Sequence, residues 1–277
     1  MKITGNTILI TGGATGIGFA LAKAFVESRN EVIICGRREH KLLEAKNKLP
    51  EIHIKVCNVA KEDNRLELLD WTTTNFKKLN ILVNNAGIQR AVNFKEGAKG
   101  LSEESEIDIN LVAPIYLSAL FIPHLMKQPE AAIVNISSGL GFIPLAVVPI
   151  YCATKAGLHS FSITLRHQLS DTSIRVYEVI PPMVDTELHK GARDRREQEN
   201  RGIPSEEVAS AALKGIEDDE FEIPIGLAQM LWQGARSEPE KVFNMINYWH
   251  LPLVRILRNK KQRSLTNQPN RRVKTPP

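Results

Sequence analysis

The chain has 277 residues, 43% of them hydrophobic and 24% charged, with a formal net charge of +5. That length holds one large α/β domain with an ample core and requires no second domain. No charged-then-apolar leader opens it at Met1-Lys2-Ile3-Thr4, and the longest apolar run, near Leu140 to Ala153, is broken by Pro144 and Pro149 and is too short to span a bilayer, so a cytoplasmic location is the default expectation.

The first predicted strand, Thr7–Thr11, runs straight into Gly12-Gly13-Ala14-Thr15-Gly16-Ile17-Gly18, and a helix-like stretch follows from Phe19 to Ser28. Glycines let the backbone turn sharply and approach a ligand, and a helix start offers unpaired N–H groups and a positive dipole end. This is a cradle suited to a pyrophosphate or, more plainly, a tight strand-to-helix connection. The spacing is Gly-x-x-x-Gly-x-Gly rather than the better-known G-x-G-x-x-G. After a second strand, Glu31–Cys35, come Gly36-Arg37-Arg38. In open α/β sheets this strand end meets the adenosine ribose, where an acid would accept the 2′-hydroxyl of NAD and repel a phosphate. None is present in that triplet; Arg37 and Arg38 offer guanidinium forks suited to the 2′-phosphate, so NADP(H) is favoured over NAD(H), although paired arginines at a turn also serve as solvated surface.

Further strands are expected at Ile52–Val56, Ile81–Asn84, Ala132–Ser137, Ile174–Ile180 and Glu222–Ile225, with helices at Asn64–Phe76, Glu104–Met126, Tyr151–Ser170 and Ser205–Glu217. Ser205, followed by Glu206 and Glu207, has the look of an N-cap with acids in the first turn. Such alternation is the mark of a parallel sheet covered on both faces. Cys35, Cys57 and Cys152 are odd in number and lack Cys-x-x-Cys spacing, so they are expected as reduced thiols. The seven histidines do not cluster at ligand spacing, and no metal is expected.

Ser138 follows the fifth strand, and Tyr151 and Lys155 stand one helical turn apart thirteen residues on, so phenol and ammonium share a helix face. Lowering a phenol from its ordinary pKa of about 10 by three units needs roughly 4 kcal/mol, and one cation at about 4 Å in a partly buried site supplies an interaction of that size. A tyrosine packed beside a snorkelling lysine would carry the same spacing. Between Ser138 and Tyr151 the run Gly139 to Ile150 has no charge, which fits either an apolar wall beside a reacting carbon or a buried turn.

Taken together, Thr11-Gly12-x-x-x-Gly16-Ile17-Gly18, Asn84-Asn85-Ala86-Gly87, Asn110, Ser138 and Tyr151-x-x-x-Lys155 resemble the short-chain dehydrogenase/reductase family in order and separation, over about residues 1 to 225. The resemblance implies a single Rossmann-type, doubly wound domain with a seven-stranded parallel sheet. It also implies an NADP(H)-dependent oxidoreductase interconverting a carbonyl and an alcohol. By that resemblance Tyr151 is the general acid/base, Lys155 lowers its pKa and holds the nicotinamide ribose, Ser138 orients the substrate oxygen, and Asn110 supports a water-linked proton relay. Cofactor contacts are implied at Gly12, Thr15, Gly16, Ile17, Arg37, Arg38, Asn58, Val59, Asn85, Ala86, Gly87, Tyr151, Lys155, Pro181, Val184 and Thr186. A homodimer or homotetramer through the two long helices is implied as well; in the second of them Leu158, Phe161, Leu165 and Leu169 make an extra apolar stripe, which packing on the sheet would also account for.

Two positions depart from the family. Pro181-Pro182 stands where most members carry Pro-Gly, which removes a backbone N–H and stiffens the turn, while the Val184 backbone and the Thr186 hydroxyl remain to hold a carboxamide. Asn58 replaces the usual aspartate beside adenine, and an amide can still donate and accept there.

Past Thr186 a charged stretch, 187–201, falls where the family has its substrate lid, though a charge run also makes a solvated face. The chain ends in an apolar extension, 226–258, and a basic tail, 259–277. From Arg255 to Pro277 there are eight Lys or Arg and no acid, so the positive charge belongs to this end and the rest is net acidic. The tail is expected to be disordered, and the segment 245–257 either packs on the domain or enters a membrane interface. This leaves a second functional class, a nucleotide-sensing binding protein whose tail engages an acidic partner, nucleic acid or membrane.

Overall fold

A computed structural model describes residues 1–101, 105–189 and 202–247. Within them seven strands, β1 (Thr7–Thr11), β2 (Glu31–Gly36), β3 (His53–Val56), β4 (Leu79–Asn84), β5 (Ala131–Ile136), β6 (Ile174–Ile180) and β7 (Glu222–Pro224), form one parallel sheet ordered β3-β2-β1-β4-β5-β6-β7. The helices are α1 (Gly16–Glu27), α2 (Glu39–Lys48), α3 (Glu62–Asn75), α4 (Ala113–Leu125), α5 (Pro149–Gln168), α6 (Ser205–Glu217), α7 (Leu227–Ser237) and α8 (Pro239–Asn247). This is the doubly wound α/β domain that the alternating pattern predicts. Strand order reverses between β1 and β4, which opens a crevice at the carboxyl ends of those strands.

Both sheet faces are buried, which is why the strands read as continuous apolar runs. Ile8 and Ile10 of β1 join Ile34, Val83, Val134 and Val179 under α1 and α6, where Leu21, Phe25, Val208 and Leu213 meet them. Leu9 points the other way, with Ile33, Leu82, Ile133 and Val176, under Leu68 of α3, Leu117 and Phe121 of α4 and Leu165 of α5. Each such side chain contributes about 1.5–3 kcal/mol on burial, so two continuous layers hold the strand ends in place. The stretch Asp108–Leu125 is long and apolar enough to cross a membrane, and here Leu117, Phe121 and Leu125 spend that apolarity on the sheet.

Two local expectations change. The helix expected over Glu104–Met126, whose start at Glu104 lies outside the described residues, is not uniform: a wide π-type turn, Asp108–Val112, precedes α4. Pro114 has no N–H to give the Asn110 carbonyl four residues back, so the regular ladder fails at that point. The second concerns Ser205, which is the first helical residue of α6 rather than its N-cap; that position belongs to Pro204, whose fixed φ of −60° and extended ψ of 147° bring the chain in. Glu206 and Glu207 do lie in the first turn, as expected.

The extension after Ile225 returns to the sheet's carboxyl end. A Cβ on Gly139 would lie 3.1 Å from the Ala228 side chain and 3.0 Å from that of Leu231, so α7 lies close over the loop after β5. Asn247 of α8 donates to the Pro144 carbonyl at 3.0 Å and accepts from the Ala146 N–H at 2.6 Å. Most of the charged stretch after Thr186 and all of 248–277, the basic tail included, lie outside the described residues.

Candidate active site

The crevice between β1 and β4 widens into a cleft of about 430 Å³. Its floor is the glycine loop. Gly12 and Gly16 have φ of +64° and +54°, conformations that a side chain would strain. The Thr15 side chain makes no capping hydrogen bond to α1, so it does not compete for the first-turn N–H groups that an anion would take. Asn85 donates to the Thr11 and Gly12 carbonyls at 2.9 and 3.1 Å, and the Thr11 hydroxyl accepts from the Asn85 and Ala86 N–H groups. The Asn85 side chain thus laces β4 to the cradle, while Ala86, Gly87 and Ile17 line the cleft beside it.

A Cβ on Gly18 would lie 2.4 Å from both Asn85 Nδ2 and the Gly12 carbonyl oxygen. Overpacking of that kind costs about 1–3 kcal/mol, so Gly18→Ala should lower the Tm by about 2–6 °C, read by thermal denaturation. An unchanged Tm would mean that the lacing at Asn85 is slack.

The adenosine end is built by the residues after β2 and β3: Arg37, Arg38, Asn58 and Val59 all line the cleft. Burial first, then the charges of Arg38 and Arg90, hold the Arg37 guanidinium below its ordinary pKa. Asn58 turns its side-chain oxygen inward, accepting from the Ala60 N–H at 3.1 Å. Arg38 carries a partner that reading the strand end missed. Glu187, from the loop after β6, lies 3.0 Å from Arg38 Nη1 and 3.7 Å from Lys41 Nζ. An acid does reach this site, then, although Gly36-Arg37-Arg38 contains none. Its only sequence signal was its place directly after Thr186, among several other charges.

At the opposite end Ser138 leaves β5, and Tyr151 and Lys155 face it from α5, 7% and 4% exposed. Ser138 acts on the Tyr151 phenol, favouring its phenolate, and its side-chain oxygen accepts from the Leu140 N–H at 3.2 Å. Lys155 Nζ stands 5.6 Å from the Tyr151 ring centroid and donates to the Ile136 carbonyl at 2.8 Å. Asn110, in the π-type turn, accepts from the Ile88 N–H at 2.9 Å and donates to the Ile88 carbonyl and to Thr154 Oγ1. Thr154 in turn donates to the Tyr151 carbonyl at 2.7 Å. The four residues read from sequence therefore converge, with Asn110 joined to the tyrosine through α5. Pro181, Val184 and Thr186 line the same cleft, and the Pro181 carbonyl accepts from the Gly139 N–H at 3.2 Å.

The electrostatics correct one expectation. Lys155 was expected to lower the Tyr151 pKa, yet burial pushes the phenol up to about 12, and the influence of Ser138 offsets only part of that. Burial likewise pulls Lys155 down to about 8, against the charge of Glu178. Desolvation is the largest influence on both groups in the protein alone.

Around Tyr151 the uncharged run forms a wall: Leu140, Leu145 and Val147 pack with Val148 and Cys152 against the ring. Cys152 Sγ accepts from the Leu145 N–H at 3.2 Å. All three cysteines are free and buried.

Comparison with known proteins agrees with this geometry. The short chain dehydrogenase family matches residues 6–197. The uncharacterized oxidoreductase DltE of Bacillus subtilis (strain 168) is 53% identical over 248 residues, covering 89% of this chain and 98% of that protein. A short chain dehydrogenase from Burkholderia cenocepacia J2315, solved in complex with NADP, superposes with a TM-score of 0.75 at 23% identity, over 89% of this chain and 99% of its own. A second, from Burkholderia phymatum in complex with NAD, gives 0.75 at 21% identity, over 89% and 97%.

Proposed function

As a member of the short-chain dehydrogenase/reductase family and an oxidoreductase, the chain carries a site for which we propose the interconversion of a carbonyl and an alcohol, with NADP(H) preferred to NAD(H) and Tyr151 as general acid/base. The observation that carries this is the Tyr151–Lys155 pair, buried on α5 with Lys155 Nζ 5.6 Å from the Tyr151 ring centroid, in a cleft whose other end is the glycine cradle. Residues present fit a dinucleotide: the Thr15 side chain leaves the first turn of α1 uncapped, a Cβ at Gly12 would press to 2.9 Å on Ala86 Cα, and Arg37 and Arg38 stand at the adenosine end. Gly12, Thr15, Gly16 and Ile17 would hold its pyrophosphate, Asn58 and Val59 its adenine, and Lys155, Val184 and Thr186 its nicotinamide half.

The bound nicotinamide supplies or accepts a hydride. Everything else falls to the chain. Ser138 and Tyr151 hydrogen-bond the substrate oxygen, and Tyr151 gives it a proton in reduction or takes one in oxidation. The Lys155 charge stabilises the phenolate that remains, and Asn110, tied to Ile88 and Thr154, holds the relay that returns the proton. The apolar wall from Leu140 to Val148 keeps water from the reacting carbon. With NADPH the favoured direction is reduction. A purely nucleotide-sensing protein would leave the buried Tyr151–Lys155 pair without a purpose. Association through the outer faces of α4 and α5, where Tyr116 and Ile163 are exposed, completes the proposal as a homodimer or homotetramer.

Turnover with NADPH against aldehydes, ketones and keto-acyl compounds tests the assignment; a folded, nucleotide-binding protein inert towards every class would overturn it. The tail should be separable. Removing residues 259–277 is expected to leave turnover unchanged while weakening salt-sensitive binding to anionic vesicles or nucleic acid. Loss of turnover in a folded truncation would instead bring the tail to an active site.

A further inference from the structure

Lys155 shares the space under α5 with a second buried ionisable group. Glu178 of β6 is 0% exposed, on the strand face otherwise filled by Ile174 and Val176 and in register with Asn135 of β5. Its Oε2 lies 2.7 Å from His159 Nδ1, and its Oε1 has no hydrogen-bond partner among the described residues. His159 stands one helical turn beyond Lys155, as Lys155 does beyond Tyr151, so the three line one stripe of α5. Phe142 packs on the imidazole at 4.4 Å between centroids, which fixes the ring over the carboxylate.

A buried carboxylate with an unsatisfied oxygen destabilises a fold unless its charge is answered nearby. Among the described residues its charge acts on Lys155, one turn before its partner His159 on α5, and on Arg166. The Arg166 guanidinium is already engaged: it donates to the Val176 and Phe221 carbonyls at 2.9 and 3.0 Å and lies 3.9 Å from Glu222 of β7. Lys155 has a neutral carbonyl, that of Ile136, as its hydrogen-bond acceptor. We propose that Glu178, held by His159, is the counter-charge of Lys155, a positioning pair that acts on the Tyr151 site through the lysine ammonium. Neither member touches substrate. The catalytic consequence rests on the oxidoreductase assignment above; the charge relation itself does not.

The sign follows from the groups that face each other. Tyr151 and His159 stand one turn to either side of Lys155 on α5, Asn110 Oδ1 and Lys155 Nζ border the same space at Gly87, and Glu178, held by His159, is the carboxylate whose charge opposes burial of the lysine. Beyond them, Glu106 acts on Tyr151, and Glu222 is shared between Arg166 and Arg236. Burial holds Lys155 at about 8 with Glu178 in place. Without that charge the ammonium loses its proton at lower pH. A unit charge several ångströms away in a protein interior shifts such a midpoint by about one pH unit.

The test titrates Lys155 directly in the full-length protein labelled with 13C at lysine Cε, its resonance assigned by its loss in Lys155→Arg. The midpoint should fall by about one pH unit in Glu178→Gln. It should also fall in His159→Phe, where the carboxylate is no longer held in place by its donor. His159→Asn keeps a donor at the Nδ1 position and should restore the wild-type midpoint. With any substrate that turns over, the alkaline limb of kcat/KM should move down with the lysine. An unchanged Lys155 midpoint in folded Glu178→Gln overturns the proposal; if circular dichroism shows that variant unfolded, His159→Phe decides in the same way. A midpoint that moves in a protein inert to every carbonyl compound supports the charge pair and counts against the oxidoreductase assignment alone.

Discussion

Tyr151→Phe is expected to lower kcat by about 10²–10⁴-fold while leaving NADP(H) affinity nearly intact. The ring is buried against Leu140, Leu145, Val147, Val148 and Cys152, and phenylalanine keeps all of that packing. Only the hydroxyl goes, and with it the proton donor. Ser138 still accepts from the Leu140 N–H, so the end of β5 should stay in place. Lys155→Ala should damage both turnover and binding, because the same ammonium serves the phenol and the ribose. Steady-state kinetics beside a fluorescence titration of the nucleotide separates the two effects. Comparable turnover by Tyr151→Phe and wild type would remove the tyrosine from the proton transfer.

The electrostatics add a pH signature to that experiment. Free Tyr151, pushed up to about 12, does not titrate in the working range, whereas Lys155, pulled down to about 8, does. The alkaline fall in kcat/KM of the wild type should therefore report the lysine losing its charge near pH 8. Phenol and ammonium are each penalised by burial, and what makes the pair useful is the coupling between them once the cleft is filled.

Most of the sheet was legible because strands buried on both faces are short apolar runs, and β1 and β6 keep the predicted bounds residue for residue. Tyr151 and Lys155 were legible for a related reason: helical spacing alone puts them on one face. What escaped was long-range or depended on one missing hydrogen. The Arg38–Glu187 pair joins residues 149 apart in the chain, and no local pattern says which acid in a charged stretch will come back to β2. Glu178 sits in a strand that reads as apolar, and its partner His159 had no reason to stand out from the other histidines. The turn that presents Asn110 follows from the N–H that Pro114 lacks, a signal present in the sequence but overridden there by the apolar periodicity of the whole stretch.

Replacing Arg37 and Arg38 together by alanine should weaken NADPH by about a hundred-fold and NADH only slightly, since each charge-assisted hydrogen bond to a 2′-phosphate contributes about 1.5–3 kcal/mol. Glu187 complicates this, because Arg38 is already paired with it and a phosphate must take its place. The magnitudes decide in favour of exchange. The Arg38–Glu187 pair is largely exposed, and such pairs contribute about 0–1 kcal/mol, less than a doubly charged phosphate held by two guanidinium forks. It follows that Glu187→Gln should tighten NADPH several-fold and leave NADH unmoved, because it removes the competing carboxylate and its repulsion together. Titrating both nucleotides against wild type, the double alanine variant and Glu187→Gln reads all of this from one fluorescence signal. Equal losses of NADPH and NADH in the double variant would mean that these arginines do not read the phosphate. In that case the carboxylate that Glu187 brings to the adenosine end would become the feature that selects the nucleotide, and the preference would turn towards NAD(H).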